Sequence, residues 1–177
     1  MEFTTLMNER RSIRKYTDAP VSTEEIQAVI LAAGQAPSWK NPQTGRYYAV
    51  TSPEKIEEVR ACLPEGNQQK TEQVPVLLVT TYKKNIAGFD REANPDNELG
   101  NQWGAYDLGL QAAYLILKAR ELGLDTLIMG LRDAEQLRNV LDIPEEETVV
   151  SVISLGHRDE DPAKPKRKEL EKILKIV

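Results

Sequence analysis

Two uninterrupted apolar runs, at 74–81 (VPVLLVTT) and 148–155 (TVVSVISL), constrain the fold of this chain most strongly. A short continuous apolar run is typical of a strand that is buried on both faces. Pro75 must then stand at the beginning of the first strand, because proline cannot donate to a strand ladder. Shorter β-branched or aromatic patterns at 46–50 and 125–129 predict two further strands.

Helix patterns lie between these strands. The longest covers 102–122 and is apolar on several faces, which predicts burial all round, either in the core or at a subunit interface. Shorter helices are expected to begin near Ser22, where Glu25 completes a capping box, and near Pro53 and Asp133. The apolar spacing at 170–174 predicts a last helix at the C-terminal end. Strands that alternate with helices predict a layered α+β or α/β domain.

Composition limits the classes of function. The 177 residues, 40% hydrophobic and 29% charged, are typical of one soluble globular domain. A net charge of −5 argues against nonspecific binding to nucleic acid, which depends on many cations. No apolar run is long enough to span a membrane, and the N-terminus has no apolar signal region, so a cytoplasmic protein is expected.

The chain has one cysteine and one histidine. It therefore cannot form an internal disulfide or a multi-cysteine zinc site. Cys62 follows an amphipathic helix and is expected to be a small buried thiol. His157 lies among charged residues, where a loop position is favoured over a catalytic one. The common phosphate-loop, dinucleotide-binding, zinc-protease and serine-hydrolase motifs are absent from the sequence.

Four short patterns can bind a ligand, although each alone is more often an ordinary surface or turn. The cluster at 10–15 (RRSIRK) can donate to an anion, since guanidinium groups match the geometry of a phosphate. The turn at 36–43 (APSWKNPQ) carries amides that suit the edge of a heterocycle. At 128–131 a strand ends in a glycine that allows close backbone approach. A second basic stretch surrounds Arg167.

The order of these patterns resembles the FMN-dependent nitroreductase family over nearly the whole chain. The motif R-R-S-x-R-x-[FY] stands at 10–16, and A-P-S-x-x-N-x-Q stands at 36–43. A long helix with D-x-G at Asp107 and Gly109 is similar to the family's central helix. A last strand that ends in Gly156, followed by a basic segment, extends the resemblance to the C-terminal region.

The resemblance implies one nitroreductase-like domain at 1–177 of the α+β class. Its fold would be a layered α/β/α sandwich with a mainly antiparallel central sheet, and 156–177 would form a C-terminal arm exchanged in a homodimer. FMN would be the cofactor, NAD(P)H the reductant and a nitroaromatic, quinone or related small molecule the acceptor, in a ping-pong order. No catalytic side chain is implied, because the flavin carries the redox chemistry.

The resemblance also implies which residues contact FMN. The phosphate and ribityl chain would be held by Arg10, Arg11, Ser12, Arg14 and Arg167. The partner chain would face the flavin with Pro37, Ser38, Trp39 and Asn41. The residues along the isoalloxazine would be Met129, Gly130 and Leu131. The residues near the ring edge would be Asn67 and Gln69.

This chain departs from the family in three places. Thr44-Gly45 replaces a common Pro-Trp pair, His157 replaces a common aromatic residue, and the loop at 83–101 is short. The acceptor therefore stays open. Two other functions also stay open: a flavin-binding sensor or carrier without efficient turnover, and a dimeric acidic protein whose basic clusters are only solvated.

Overall fold

The computed structural model describes residues 2–177 and places one four-stranded antiparallel sheet at the centre of the chain. The spatial order of the strands is β1-β2-β4-β3. Their bounds are Gly45–Val50 for β1, Val76–Lys83 for β2, Asp125–Met129 for β3 and Glu147–Gly156 for β4. The helices are α1 at Phe3–Glu9, α2 at Thr23–Gly34, α3 at Pro53–Ala61, α4 at Glu65–Gln69, α5 at Gln102–Glu121 and α6 at Ala134–Leu141.

Both faces of the sheet are covered, as the apolar runs predict. Leu77 packs with the α3 and α6 side of the core, whereas its neighbour Leu78 packs with α2 and α5. Successive residues of a strand point to opposite faces, and since helices cover both faces, both side chains are fully buried. The predicted α/β/α layering with an antiparallel sheet is confirmed.

A bulge adjusts the register between β2 and β4. Thr80 pairs with Ser151 but Thr81 pairs with Val149, so β4 contains one extra residue at this point. The extra residue reverses the alternation of the strand. As a result Val149 joins the same core cluster as Val152, three positions further along.

The first apolar run begins as a strand two residues later than predicted. Pro75 lies outside β2, in agreement with its missing N–H, and the strand continues to Lys83. α5 matches its predicted range closely, but within one chain it is buried on one side only. Tyr106 and Tyr114 on its outer side are 59% and 45% exposed. The alternative of a subunit interface on this side stays a prediction.

The C-terminal residues differ from the sequence pattern. The helical spacing near 170–174 gives a single 3-10 turn at Leu170–Lys172, not a helix. Leu170, Ile173 and Leu174 are all exposed, so their apolar side chains are not buried against any surface within one chain, and a helix this short is not stable by itself. Among residues 2–177, no helix combines the length and apolar character needed to cross a membrane.

Candidate cofactor site

The basic N-terminal segment is fixed against the outer edge of β3. Ser12 forms a parallel bridge with Thr126, and the Ile13 N–H donates to the Thr126 carbonyl oxygen at 3.0 Å. The buried Tyr16 hydroxyl donates to the Ile13 carbonyl oxygen and lies 2.7 Å from Ser154 Oγ. Because Ile13 and Tyr16 face the core, Arg14 is left on the exposed side of the segment.

The C-terminal arm folds back beside this segment. The Thr17 N–H donates to the His157 carbonyl oxygen at 3.0 Å, and the Asp159 N–H donates to the Lys15 carbonyl oxygen at 2.9 Å. His157 thus lies directly after β4, at the start of the arm, in agreement with the expected loop position.

This arrangement brings basic residues from both ends of the chain into one cavity of about 270 Å³. The residues that line it are Arg10, Arg11, Ser12, Arg14, Pro162, Ala163, Pro165 and Arg167. All the residues assigned by sequence to the phosphate end are therefore neighbours. We call this space the cation cavity.

The cation cavity holds repelling positive charges. Burial, followed by the charges of Arg167 and Arg11, lowers the pKa of the Arg10 guanidinium, and the nearby Asp125 carboxylate opposes that shift. An anion between these groups would relieve the repulsion and accept hydrogen bonds from the planar guanidinium forks.

Arg11 is placed differently from its neighbours. Its Nη1 donates to the carbonyl oxygens of Asn8 at 2.6 Å and Arg10 at 2.9 Å, while its Nε donates to the Pro162 carbonyl oxygen at 3.2 Å. The guanidinium therefore connects the end of α1 to the C-terminal arm. Its geometry favours a role in holding the wall of the cavity over direct contact with a ligand.

The residues assigned to the flavin ring lie on α4 and at the end of β3, the strand whose outer edge carries the basic N-terminal segment. Asn67 Nδ2 donates to the Leu131 carbonyl oxygen at 3.4 Å, which connects α4 to the chain just after β3. Met129 is buried at the end of β3, whereas Leu131 is 73% exposed. Gly130 lies between them, and a Cβ at that position would meet nothing within 4 Å.

A second cavity, of about 530 Å³, is lined by Arg14 of the basic segment and Gln69 of α4. Its lining also includes Lys15 and Lys70, two cations that the sequence assignment did not place at the ring edge, and the acidic Glu72, Asp159 and Glu160. Lys70 Nζ donates to Asn67 Oδ1 at 3.2 Å. Lys70 could have been found from its spacing, because residues three positions apart lie on the same face of a helix and Lys70 is three positions after Asn67. The helix itself, α4, is too short to be predicted from its sequence pattern.

The loop at 36–43 lies at the other edge of the sheet from the cation cavity. It leads into β1, which is separated from β3 by β2 and β4, a distance of about 14 Å between strands. Within residues 2–177, no hydrogen bond or cavity joins this loop to the cation cavity. One chain therefore holds two separate parts of the predicted site, which is compatible with the expectation that Pro37, Ser38, Trp39 and Asn41 act from a partner chain.

The loop itself is well anchored. Its Trp39 contacts two residues of α5: the Trp39 N–H donates to Asp107 Oδ1 at 3.1 Å, and the centre of the Trp39 ring lies 4.4 Å from that of the Trp103 ring. Lys40 forms an ion pair with Asp96 at 2.8 Å, which connects the loop to the segment at 83–101.

Cys62 does not belong to the site assembled above. It is buried, its Sγ donates to the Glu58 carbonyl oxygen at 3.3 Å, and burial raises the pKa of its thiol. The prediction of a small buried thiol is confirmed.

Comparison with known proteins agrees with the motif order. The family model described as "Nitroreductase family" matches residues 7–157 of this chain. An NADPH-flavin oxidoreductase from Vibrio harveyi is 34% identical over 86% of this chain and 64% of that protein. An FMN reductase [NAD(P)H] from Bacillus subtilis is 29% identical over 91% of this chain and 68% of that protein.

The fold agrees as well. A nitroreductase family protein from Streptococcus pneumoniae has 21% identity, a TM-score of 0.88 and coverage of 99% of this chain and 100% of that chain. The match along the sequence and the shared fold lead to the same conclusion: this chain belongs to the nitroreductase family.

Proposed function

We propose that this protein is an FMN-dependent oxidoreductase that uses NAD(P)H to reduce a small oxidised acceptor such as a nitroaromatic or a quinone. The cation cavity carries the proposal, because it gathers guanidinium groups from residues more than 150 positions apart around a space suited to one anion. The names of the Vibrio and Bacillus relatives support FMN and NAD(P)H as the two nucleotides.

The residues present fit FMN at its phosphate end. Arg10, Arg14 and Arg167 would hold a phosphate group with charge-assisted hydrogen bonds, and the Ser12 hydroxyl would add a neutral donor. Arg10 is the strongest candidate, since no hydrogen bond or ion pair among residues 2–177 occupies its guanidinium and like charges surround it. A phosphate monoester carries close to two negative charges at neutral pH, which suits several cations.

The residues beside β3 fit the flat ring. The N–H groups of Gly130 and Leu131 follow the last ladder pair of β3, Met129 with Val152, and would be available to the ring. The open space at Gly130 would allow a planar ligand to approach the backbone. Asn67, supported by Lys70, would offer an amide donor and acceptor to the dione edge, with Gln69 nearby.

Bound FMN would supply the two-electron redox chemistry, and the protein would supply binding, orientation and electrostatics. The cations of the cation cavity and the backbone N–H groups beside the ring would favour the negative charge that accumulates on reduction. In the neighbouring cavity, the positive charges of Arg14, Lys15 and Lys70 are balanced by the acidic Glu72, Asp159 and Glu160. We propose a ping-pong order in which NAD(P)H binds, donates its hydride and leaves before the acceptor enters the same pocket. No side chain is proposed to transfer a proton.

We also propose that the active form is a homodimer in which 1–177 is one domain and 156–177 is a C-terminal arm. The arm up to Arg167 lies on its own chain, where it lines the cation cavity, and we propose that only the exposed residues after Arg167 are exchanged between chains. The exposed side of α5, with Tyr106 and Tyr114, would form part of the interface. The exposed apolar residues of the arm, which include Ile173 and Ile176, would then be covered by the second chain. The loop at 36–43 of each chain would complete the flavin site of the other.

Anaerobic stopped-flow reduction tests the proposed activity. The purified protein is loaded with FMN, mixed with NADH or NADPH, and followed at the flavin absorbance bands. We expect the bound flavin to bleach faster than free FMN does, and parallel double-reciprocal lines in steady state with a quinone acceptor. Reduction no faster than that of free FMN would instead indicate a sensor or carrier, and failure to take up FMN would contradict the cofactor.

A further inference from the structure

Asp107 is a buried carboxylate that faces the loop at 36–43 from α5. The residue has no solvent-exposed surface. Its Oδ1 accepts one hydrogen bond, from the Trp39 N–H at 3.1 Å, and its Oδ2 has no partner among residues 2–177. No ion pair within the described residues neutralises it. A buried carboxylate with so few partners is costly for folding.

The loop that Asp107 contacts needs such support. Lys40, Asn41 and Gln43 have positive φ angles of 62°, 58° and 50°, a region that side chains other than glycine rarely adopt. Each such residue adds backbone strain and persists only where the surroundings hold it. Inside the loop, the Gln43 N–H donates to Ser38 Oγ at 3.3 Å. This hydrogen bond closes a bend from Ser38 to Gln43 that also contains Asn41.

Trp39 connects this bend to the helix. Its backbone N–H is bound by Asp107, and its ring packs against Trp103 one turn earlier on α5. Hydrogen bonds from a backbone N–H to an ionised carboxylate are stronger than those to a neutral oxygen. The orientation of Ser38 and Asn41 therefore depends on a bond whose acceptor lies outside the loop.

We propose that Asp107 is a positioning residue of the flavin site: it holds the Trp39 backbone and thereby fixes the loop that contacts FMN. This inference rests on the proposed function, because it assumes that the loop at 36–43 faces the cofactor. Asp107 itself does not touch the ligand. Its effect is on the shape of the loop before FMN arrives.

Two substitutions separate the acceptor from the charge. Asp107→Leu keeps the approximate size but leaves the Trp39 N–H without an acceptor, whereas Asp107→Asn keeps an acceptor oxygen. The matched control is Gln111→Leu, one turn further along α5, where the buried amide oxygen accepts from the Tyr47 hydroxyl and not from the loop.

FMN affinity is measured by titrating apoprotein with FMN and following flavin fluorescence. Loss of one charge-assisted hydrogen bond should raise the Kd for FMN about tenfold in Asp107→Leu. Asp107→Asn should stay within about threefold of the wild type, because a neutral hydrogen bond replaces the charged one. Gln111→Leu should leave the Kd within about twofold, since its partner is not in the loop.

Two further measurements need no bound flavin. The near-ultraviolet circular dichroism of the apoprotein reports the Trp39–Trp103 pair, which should change in Asp107→Leu and be retained in Asp107→Asn. Amide hydrogen exchange in the wild type should show the Trp39 N–H protected, and this measurement does not require any variant to fold. If the Trp39 amide is unprotected, or if folded Asp107→Leu keeps both its FMN affinity and its dichroism, the proposal is wrong.

These measurements separate the two proposals. If the wild type takes up no FMN, the proposed function fails, while dichroism and exchange still decide whether Asp107 holds the loop. If the wild type binds FMN and Asp107→Leu binds it equally well, only the positioning role fails.

Discussion

The guanidinium of Arg158 binds the carboxylate of Asp125 through two hydrogen bonds of 2.6 Å each. Asp125 is the first residue of β3, and Arg158 lies two residues after the end of β4. The Asp125 side chain is almost completely buried, and Arg120 contacts it from α5 at 3.2 Å. The Asp125 carboxylate raises the pKa of Arg158 through these hydrogen bonds. This pair fixes the start of the arm beside the cation cavity.

Removal of Arg158 should therefore destabilise the fold. Arg158→Ala leaves a buried carboxylate with only Arg120 as a partner, and we expect the free energy of unfolding to fall by about 3 kcal/mol. Urea unfolding followed by circular dichroism measures this change. Asp161→Ala is the control, because its exposed carboxylate also contacts Arg158 and should contribute less than about 0.5 kcal/mol. Equal effects of the two substitutions would contradict this account of the pair.

The cation cavity makes a prediction about FMN affinity. Arg10→Ala and Arg14→Ala should each raise the Kd for FMN more than tenfold, since a hydrogen bond to a charged group is worth about 1.5–3 kcal/mol. Arg11→Ala should weaken FMN less but expose the arm to proteases, because Arg11 is bound to backbone oxygens of α1 and the arm. FMN titration and limited proteolysis measure these effects. Lys55→Ala, on α3, serves as the control and should retain normal affinity.

Gly104 on α5 should not tolerate a side chain. A Cβ at this position would lie 2.3 Å from the ring of Tyr82 on β2, so an added methyl group must displace a packed aromatic side chain. Gly104→Ala should lower the free energy of unfolding by about 2 kcal/mol despite the better helix propensity of alanine. Gly34→Ala, at the end of α2, meets nothing within 4 Å and should be neutral or slightly stabilising. Thermal unfolding of both variants compares them, and a stabilised Gly104→Ala would refute the close contact.

Burial raises the pKa of Asp107 above its ordinary value, which gives a prediction for stability against pH. The folded protein then binds this proton more readily than the unfolded chain, so this group's contribution to stability increases as pH falls through the folded pKa. Asp107→Asn has no such titration. Its free energy of unfolding should exceed that of the wild type most above the folded pKa, and the difference should shrink as pH falls towards about 4. Urea unfolding from pH 8 to pH 4 tests this, and a difference that is constant across the range would count against it.

The exposed side of α5 predicts a subunit interface. Tyr114→Asp would place a charge on this apolar side and should shift the protein towards monomer in analytical ultracentrifugation. Gln136→Asp, on α6 at the other face of the sheet, introduces the same residue and should leave the assembly unchanged. If Tyr114→Asp sediments like the wild type, the interface does not include this side of α5.

The sequence alone determined those features that depend on local pattern. Apolar runs predicted two strands buried on both faces, and the capping pattern at Ser22 and Glu25 predicted the start of α2, where both reciprocal hydrogen bonds are present. The motifs at 10–16 and 36–43 identified the family. These features are local because strand alternation, helix capping and a motif's spacing each involve only a few neighbouring residues.

Only the tertiary structure decided which of these residues meet. The arm brings Arg167 to Arg10 because Arg158 binds Asp125, a contact between residues 33 positions apart that no local pattern contains. The course of the arm also places the Pro162 carbonyl oxygen where it accepts a hydrogen bond from Arg11. The order of the strands in the sheet separates the loop at 36–43 from the cation cavity. The apolar spacing near 170–174 predicted a helix, but with no surface to bury its side chains it forms one turn. Local patterns set the elements, and long-range contacts set the site, because burial and charge pairing depend on which distant segments the fold brings together.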